Sequence, residues 1–164
     1  MVHGLIGGAD VIFNHELIAR IPSQPGSRAE ECLHSARELI FATLFFSLAW
    51  YEWHGAACLF IVALLLGEMA VSTVDAVLEL DVRVLPTTER VAHVLLFVNF
   101  GIVVTLVGQA ALAWSRLPTD IVATSHGTLS WVLSGLAVLA LGWSIRDALS
   151  AVRRNAQARK RQNA

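Results

Sequence analysis

Four stretches of this chain stay apolar for about the 20 residues that a helix needs to cross a bilayer. They lie at 36–53, 55–77, 91–115 and 121–145. The first is free of charge from Leu39 to Tyr51, and the second is interrupted by Glu68 and Asp75. The third has no formal charge but holds His93, and the fourth is uncharged. Short connections between such segments predict an all-α integral membrane protein, an up-and-down four-helix bundle forming a single membrane domain over 1–164. Ahead of the spans, Leu5, Ile6, Ala9, Phe13 and Leu17 recur at helical spacing, while Asp10, Asn14, His15 and Glu16 make this segment too polar to span. Residues 1–21 are therefore expected to form a helix lying at the membrane interface. Ile21-Pro22-Ser23-Gln24-Pro25-Gly26 reads as a turn, and Ser27-Arg28-Ala29-Glu30 as a capping box opening the first long helix.

Composition agrees with this pattern. The chain is 55% hydrophobic and 15% charged, against roughly 25% charged in a soluble domain, and its mean hydropathy is +0.61. Those values exclude a disordered chain and a soluble nucleic-acid binder. The basic residues are sorted along the chain. Arg20, Arg28, Arg37, Arg83, Arg90, Arg146, Arg153, Arg154, Arg159, Lys160 and Arg161 fall on one side of the predicted topology, and Arg116 alone on the other. The positive-inside rule then puts both termini in the cytoplasm of a multi-pass inner (plasma) membrane protein, with 150–164 as a basic tail suited to anionic headgroups. Cys32 and Cys58 fall at opposite ends of the membrane and are not expected to bridge. The first twenty residues lack the basic start and clean apolar stretch of a cleavable signal.

Ionisable groups within or beside a membrane are costly and point to function. Here they gather at the cytoplasmic ends of the spans. Glu31, His34 and Glu38 share one face of the first helix, and Glu68, Asp75 and Glu79 one face of the second. Glu89 and His93 sit four residues apart at the start of the third, and His15 and Glu16 lie on the N-terminal helix. Carboxylates crowded in low dielectric need protons, arginines or metal ions among them. Arg37, Arg83, Arg90 and Arg146 are near enough in sequence to supply the arginines. The histidines are not explained by arginine pairing. The outer side offers only Glu52, His54, Asp120 and His126.

Glu31-Cys32-Leu33-His34 has Glu-x-x-His spacing, and Glu89-Arg90-Val91-Ala92-His93 has one residue more. In these motifs the chain resembles the ferritin-like di-iron carboxylate proteins, in which Glu and Glu-x-x-His project inward from facing helices. The likeness covers about a dozen residues and departs from the pattern in the longer second motif, the aspartate of helix two and the membrane setting. It implies metal held by Glu31, His34, Glu38, Glu68 and His93, with Glu89 and Glu16 completing the set. Glu68 and Asp75 are the carboxylates expected to take part in catalysis. It also implies two iron ions, although the same donors accept manganese or zinc. The corresponding function is an oxidoreductase or hydroxylase acting on a lipid-soluble substrate, served by a redox partner. Two other readings stand beside it. His34 and His93 would serve as axial ligands of haem b, or Glu68 and Asp75 as relay groups of a non-enzymatic proton-linked carrier or assembly subunit. No phosphate loop, nucleotide fingerprint or nucleophile triad is visible.

Overall fold

The computed structural model describes residues 1–18, 28–82 and 84–162, apart from the side chains of residues 15, 16, 28, 81, 82 and 154–162. The described chain is predominantly helical. Helix α1 (Val2–Asp10) runs on into a π-helix (Val11–Ile18). Helix α2 (Arg28–Trp50) leads into strand β1 (Tyr51–His54), a short 3-10 turn (Gly55–Ala57) and α3 (Cys58–Val82). Helix α4 (Thr87–Trp114), strand β2 (Asp120–Ala123) and α5 (Thr128–Gln162) complete the order. Four segments are long and apolar enough to cross a membrane: Ala29–Trp50, Gly55–Leu80, Thr87–Trp114 and Thr128–Arg153. They mark the chain as a multi-pass membrane protein.

Burial is inverted relative to a water-soluble domain. Large apolar side chains such as Leu66, Val98, Leu106 and Val138 are exposed, as helices facing lipid require. The most deeply buried side chains include Glu31, Glu68, Asp75, Glu79 and Glu89, each at most 1% exposed. An apolar core of Phe41, Leu44, Phe45, Ile61, Leu65, Phe100 and Ala137 lies alongside them.

Helix α2 packs mainly on α5 and secondarily on α3, while α1 packs on α4. The α2–α5 seam is built from small residues at heptad spacing. Ser35, Ala42 and Ala49 line it on α2, and Ser130, Ala137, Ser144 and Ala151 on α5. Small residues let helix backbones approach closely where lipid offers no hydrophobic drive, and hydroxyls then bond across the gap. Ser35 Oγ donates to the Ser144 carbonyl (2.9 Å), and Ser144 Oγ donates to the Ser35 carbonyl (2.8 Å). At the other end Ser130 Oγ donates to the Ala49 carbonyl at 2.6 Å.

The first span differs from the sequence expectation at its C-terminal end and the fourth at its N-terminal end. Residues 51–54 and 121–127 are not helical. Strands β1 and β2 pair antiparallel, Tyr51 with Ala123 and His54 with Asp120. Aromatic and β-branched side chains favour strands as much as spans, so an apolar run alone did not separate the two. Gly55 adopts φ +54° directly after β1, and a Cβ there would lie 2.6 Å from Thr119 Cα. Only glycine turns the chain from strand to helix in that space.

Candidate metal centre

The buried carboxylates fall into three neighbourhoods, set by which helix each faces. The first is an ion-pair group between α2 and α3. Arg37 Nη1 lies 2.9 Å from Asp75 Oδ2, and Arg37 Nε 3.4 Å from Glu68 Oε1. Ser72 donates to Glu68 Oε1 at 2.7 Å, from the next turn of the same helix. Arg37 thus holds two buried carboxylates together.

The second neighbourhood lies one to three turns further along α3 and combines three helices. Glu79 is its centre. His34 Nε2 from α2 stands 3.9 Å from Glu79 Oε1, and His93 Nδ1 from α4 stands 3.3 Å from Glu79 Oε2. The two oxygens of one carboxylate therefore face two histidines from opposite helices. Glu30 joins His34 and Glu79, and Glu89 joins His93 and Glu79. In each trio the ligand atoms lie within 4.8 Å of one another. Ligand atoms about 2.0–2.2 Å from one ion lie roughly 3–3.6 Å apart, so a small contraction brings either trio to coordination distance.

Support from behind is also present. His93 Nε2, on the far side of the ring from Glu79, lies 3.5 Å from Asp10 Oδ2 of α1. Asn14 Nδ2 donates to Asp10 Oδ1 at 2.6 Å, and Thr88 Oγ1 donates to Asn14 Oδ1 at 2.8 Å. A carboxylate behind a histidine is the usual means of fixing ring orientation at a metal site. For His34 the arrangement differs, because Nε2, the nitrogen that faces Glu79, is itself 3.3 Å from Asp75 Oδ2.

The third neighbourhood faces α5. Ser150 Oγ donates to Glu31 Oε1 at 2.7 Å. Glu38 interacts electrostatically with Asp147 and Arg146 of the same helix. Of the residues singled out from sequence, the structure thus brings His34, His93 and Glu89 together, joined by Glu30 and Glu79. Glu68 and Asp75 stand next to them around Arg37. Glu31 and Glu38 point away, toward α5. The side chain of Glu16 lies outside the described residues. His3, Asp10 and Asn14 were not singled out as site residues, yet all three are buried on α1 and its π-helical extension. Their spacing of seven and four residues puts them on one face, a signal present in the sequence.

His3 docks α1 by ring contact, its centroid 4.4 Å from that of Phe41 and 6.0 Å from that of Phe100. Burial depresses its pKa to about 4, with Arg37 and the N-terminal ammonium adding to the effect and Asn99 opposing it. The unfolded segment therefore binds more protons between its ordinary value of about 6.5 and 4. Docking of α1 is complete above about pH 6.5 and weakens as pH falls toward 4, by about 3 kcal/mol in total. Amide hydrogen exchange across residues 2–10 should accelerate over this window, and the His3→Phe variant should lose the part of that dependence due to His3.

Family models, curated proteins and solved structures contain no match to this chain.

Proposed function

We propose that this protein is an intramembrane metalloenzyme, an oxidoreductase or hydroxylase with two metal ions held by Glu30, His34, Glu79, Glu89 and His93. One observation carries the reading: Glu79 belongs to both ligand trios and turns one oxygen toward each histidine. A bridging carboxylate with terminal Glu and His on either side is the donor set of a dinuclear site in a helical bundle. Mixed carboxylate and imidazole donors suit iron, with manganese and zinc as the other fits. Iron in such a site supplies one-electron and oxygen chemistry.

The chain's own residues have definable tasks in this reading. Glu79 would be the ligand shared by the two ions. Asp10 fixes the imidazole of His93, and Asp75 shares with Glu79 the nitrogen of His34 that faces the centre. Arg37 pairs with Glu68 and Asp75 beside the centre. The apolar surroundings exclude bulk water and match a lipid-soluble substrate arriving through the bilayer, with electrons delivered by a redox partner at the cytoplasmic side. Haem b between His34 and His93 fits less well, because the Glu79 carboxylate stands between the two rings. The experiment is metal analysis of detergent-purified variants. His34→Ala and His93→Ala should each lose metal, whereas Glu52→Ala and His54→Ala should retain it. Retention of full metal content in both histidine variants would refute the assignment.

The same groups also support a second reading. Asp75, His34, Glu79, His93 and Asp10 follow one another at 3.3–3.9 Å, and Glu68 meets Asp75 at Arg37. Carboxylates and imidazoles at that spacing can relay protons, as a proton-linked carrier or assembly subunit requires. A protein that never binds metal would favour it.

The orientation completes the proposal. The four helices cross the inner membrane up and down, α1 lies against the cytoplasmic end, and both termini are cytoplasmic. The eleven-to-one distribution of basic residues supports this. Reporter fusions after Gly55 and Pro118 should read outside, and one at residue 83 inside. A residue-83 fusion reading outside would reverse the topology.

A further inference from the structure

The five proposed ligands are closed off from bulk solvent. Glu30, His34, Glu79 and Glu89 are at most 5% exposed, and the side chain of His93 is 14% exposed. A hydrated ion reaches them only if a wall of the site moves. Among the described α-helices around the site, α1 is the shortest. A cavity of about 240 Å³ lies between it and the bundle, bordered by Gly4, Gly7 and Gly8 of α1 and by Phe41, Phe45 and Leu139. A Cβ on Gly8 would meet no atom within 4 Å. On the opposite side of α1 and its π-helical extension, Leu5, Phe13 and Leu17 are exposed. An element with so little packed surface opens at the low end of the local stability range.

What holds α1 down is a small set of contacts that fall in reverse order along α4. His3 meets Phe100, Asp10 meets His93, and Asn14 meets Thr88. The N-terminal segment therefore runs antiparallel to the first half of α4. The last two contacts form one chain of fixed polarity. Thr88 Oγ1 donates to Asn14 Oδ1, Asn14 Nδ2 donates to Asp10 Oδ1, and Asp10 Oδ2 faces His93 Nε2 at 3.5 Å. Both ends of this chain reach the centre. His93 is a proposed ligand, and Thr88 immediately precedes another, Glu89. The cavity ends at Asp10, His34 and Arg37. With α1 lifted, it becomes an open groove leading to His34, and His93 loses the carboxylate that covers its Nε2.

We propose that α1 is the lid of the metal centre. Ions enter and leave when it lifts from α4, and the Thr88–Asn14–Asp10 chain is the catch that closes it behind them. His3, seven residues before Asp10 and in ring contact with Phe41 and Phe100, is the second fastening. The cargo of this lid rests on the metal-centre reading, while its motion rests on the packing of α1. A lid changes the rates of loading and release together, because both pass through the open state. It leaves affinity nearly unchanged as long as the closed state predominates. A defect in ligand geometry lowers affinity instead.

The test times zinc loading and zinc release to a chromophoric chelator in the detergent-purified full chain. A Cβ on Gly7 would lie 3.8 Å from Leu96 Cδ2. Gly7→Cys with Leu96→Cys, in a Cys32→Ser, Cys58→Ala background, therefore sets two thiols side by side. A short bismaleimide then staples α1 to α4, and the unreacted variant is the reference, so effects of the substitutions themselves cancel. The staple should slow loading and release by at least about tenfold each. His3→Ala, which removes both ring contacts far from the ligands, should speed both by about tenfold and leave Kd within about twofold. Asn14→Leu, which opens the catch, should speed release as well. A stapled chain that loads and releases zinc as fast as the unreacted one would overturn the lid and leave the metal centre standing. Faster release from His3→Ala with unchanged loading, which is a loss of affinity, would also overturn it. A wild-type chain that takes up no zinc would remove the metal centre, and the lid with it.

Discussion

Glu79→Gln is expected to empty both metal positions at once, the largest effect of any single carboxamide substitution in the chain. Its carboxylate is shared by both trios, with one oxygen toward each histidine. A carboxamide keeps the size but loses the negative charge and the second anionic oxygen, so neither ion keeps a bridging ligand. Glu30→Gln and Glu89→Gln each touch one trio only and should leave roughly one ion in place. Asp10→Asn acts one step further out, through His93, and should weaken binding by about 10–100-fold. Metal content measured across this series separates a bridging residue from a terminal one. Equal losses for Glu30→Gln, Glu79→Gln and Glu89→Gln would contradict the shared-ligand geometry.

Arg37→Leu is expected to be the most destabilising single change near the site. Arg37 is the guanidinium between Glu68 and Asp75, which are each 1% exposed. Removing one partner of a buried ion pair leaves an uncompensated charge and costs about 3–5 kcal/mol. The loss should be smaller when the carboxylates are neutralised with it. Arg37→Leu combined with Glu68→Gln and Asp75→Asn should recover a large part of the stability in a thermal melt in detergent. A triple variant no more stable than Arg37→Leu alone would show that the arginine does not act through those two carboxylates. Asp75 also contacts His34 at 3.3 Å, so Arg37→Leu should weaken metal binding as well.

The membrane spans were legible in the sequence because their signal is long and simple. Each apolar run is close to or above the roughly 20 residues a helix needs to cross a bilayer, and four helices long and apolar enough to cross are present. The paired ends of the first and fourth spans were not legible. Tyr51-Glu52-Trp53-His54 and Asp120-Ile121-Val122-Ala123 are too short to show a period, and their pairing is long-range. At the site, the expectation that Glu68 and Asp75 share a face of α3 follows from seven-residue spacing, and both do meet Arg37.

The choice between Glu30 and Glu31 turned on a rotation of one residue around α2. Grouping Glu31, His34 and Glu38 by helical spacing assumed that this face looks toward α3. The seam of Ser35, Ala42 and Ala49 shows which face meets α5, and Glu31 and Glu38 flank it. That heptad of small residues is readable in the sequence, as is its partner at Ser130, Ala137, Ser144 and Ala151. So is the repeated Glu-x-x-x-His of Glu30–His34 and Glu89–His93. The bridging position of Glu79 was not readable, because it depends on how three helices and α1 come together.

The most direct test is the metal content of the detergent-purified full chain, reconstituted anaerobically with iron(II) and freed of excess ion. The proposed centre predicts about two ions per chain in the wild type and fewer than one in Glu79→Gln, both proteins being folded by circular dichroism. Wild-type protein that retains no iron, manganese or zinc, or that binds the same amount as Glu79→Gln, would contradict it.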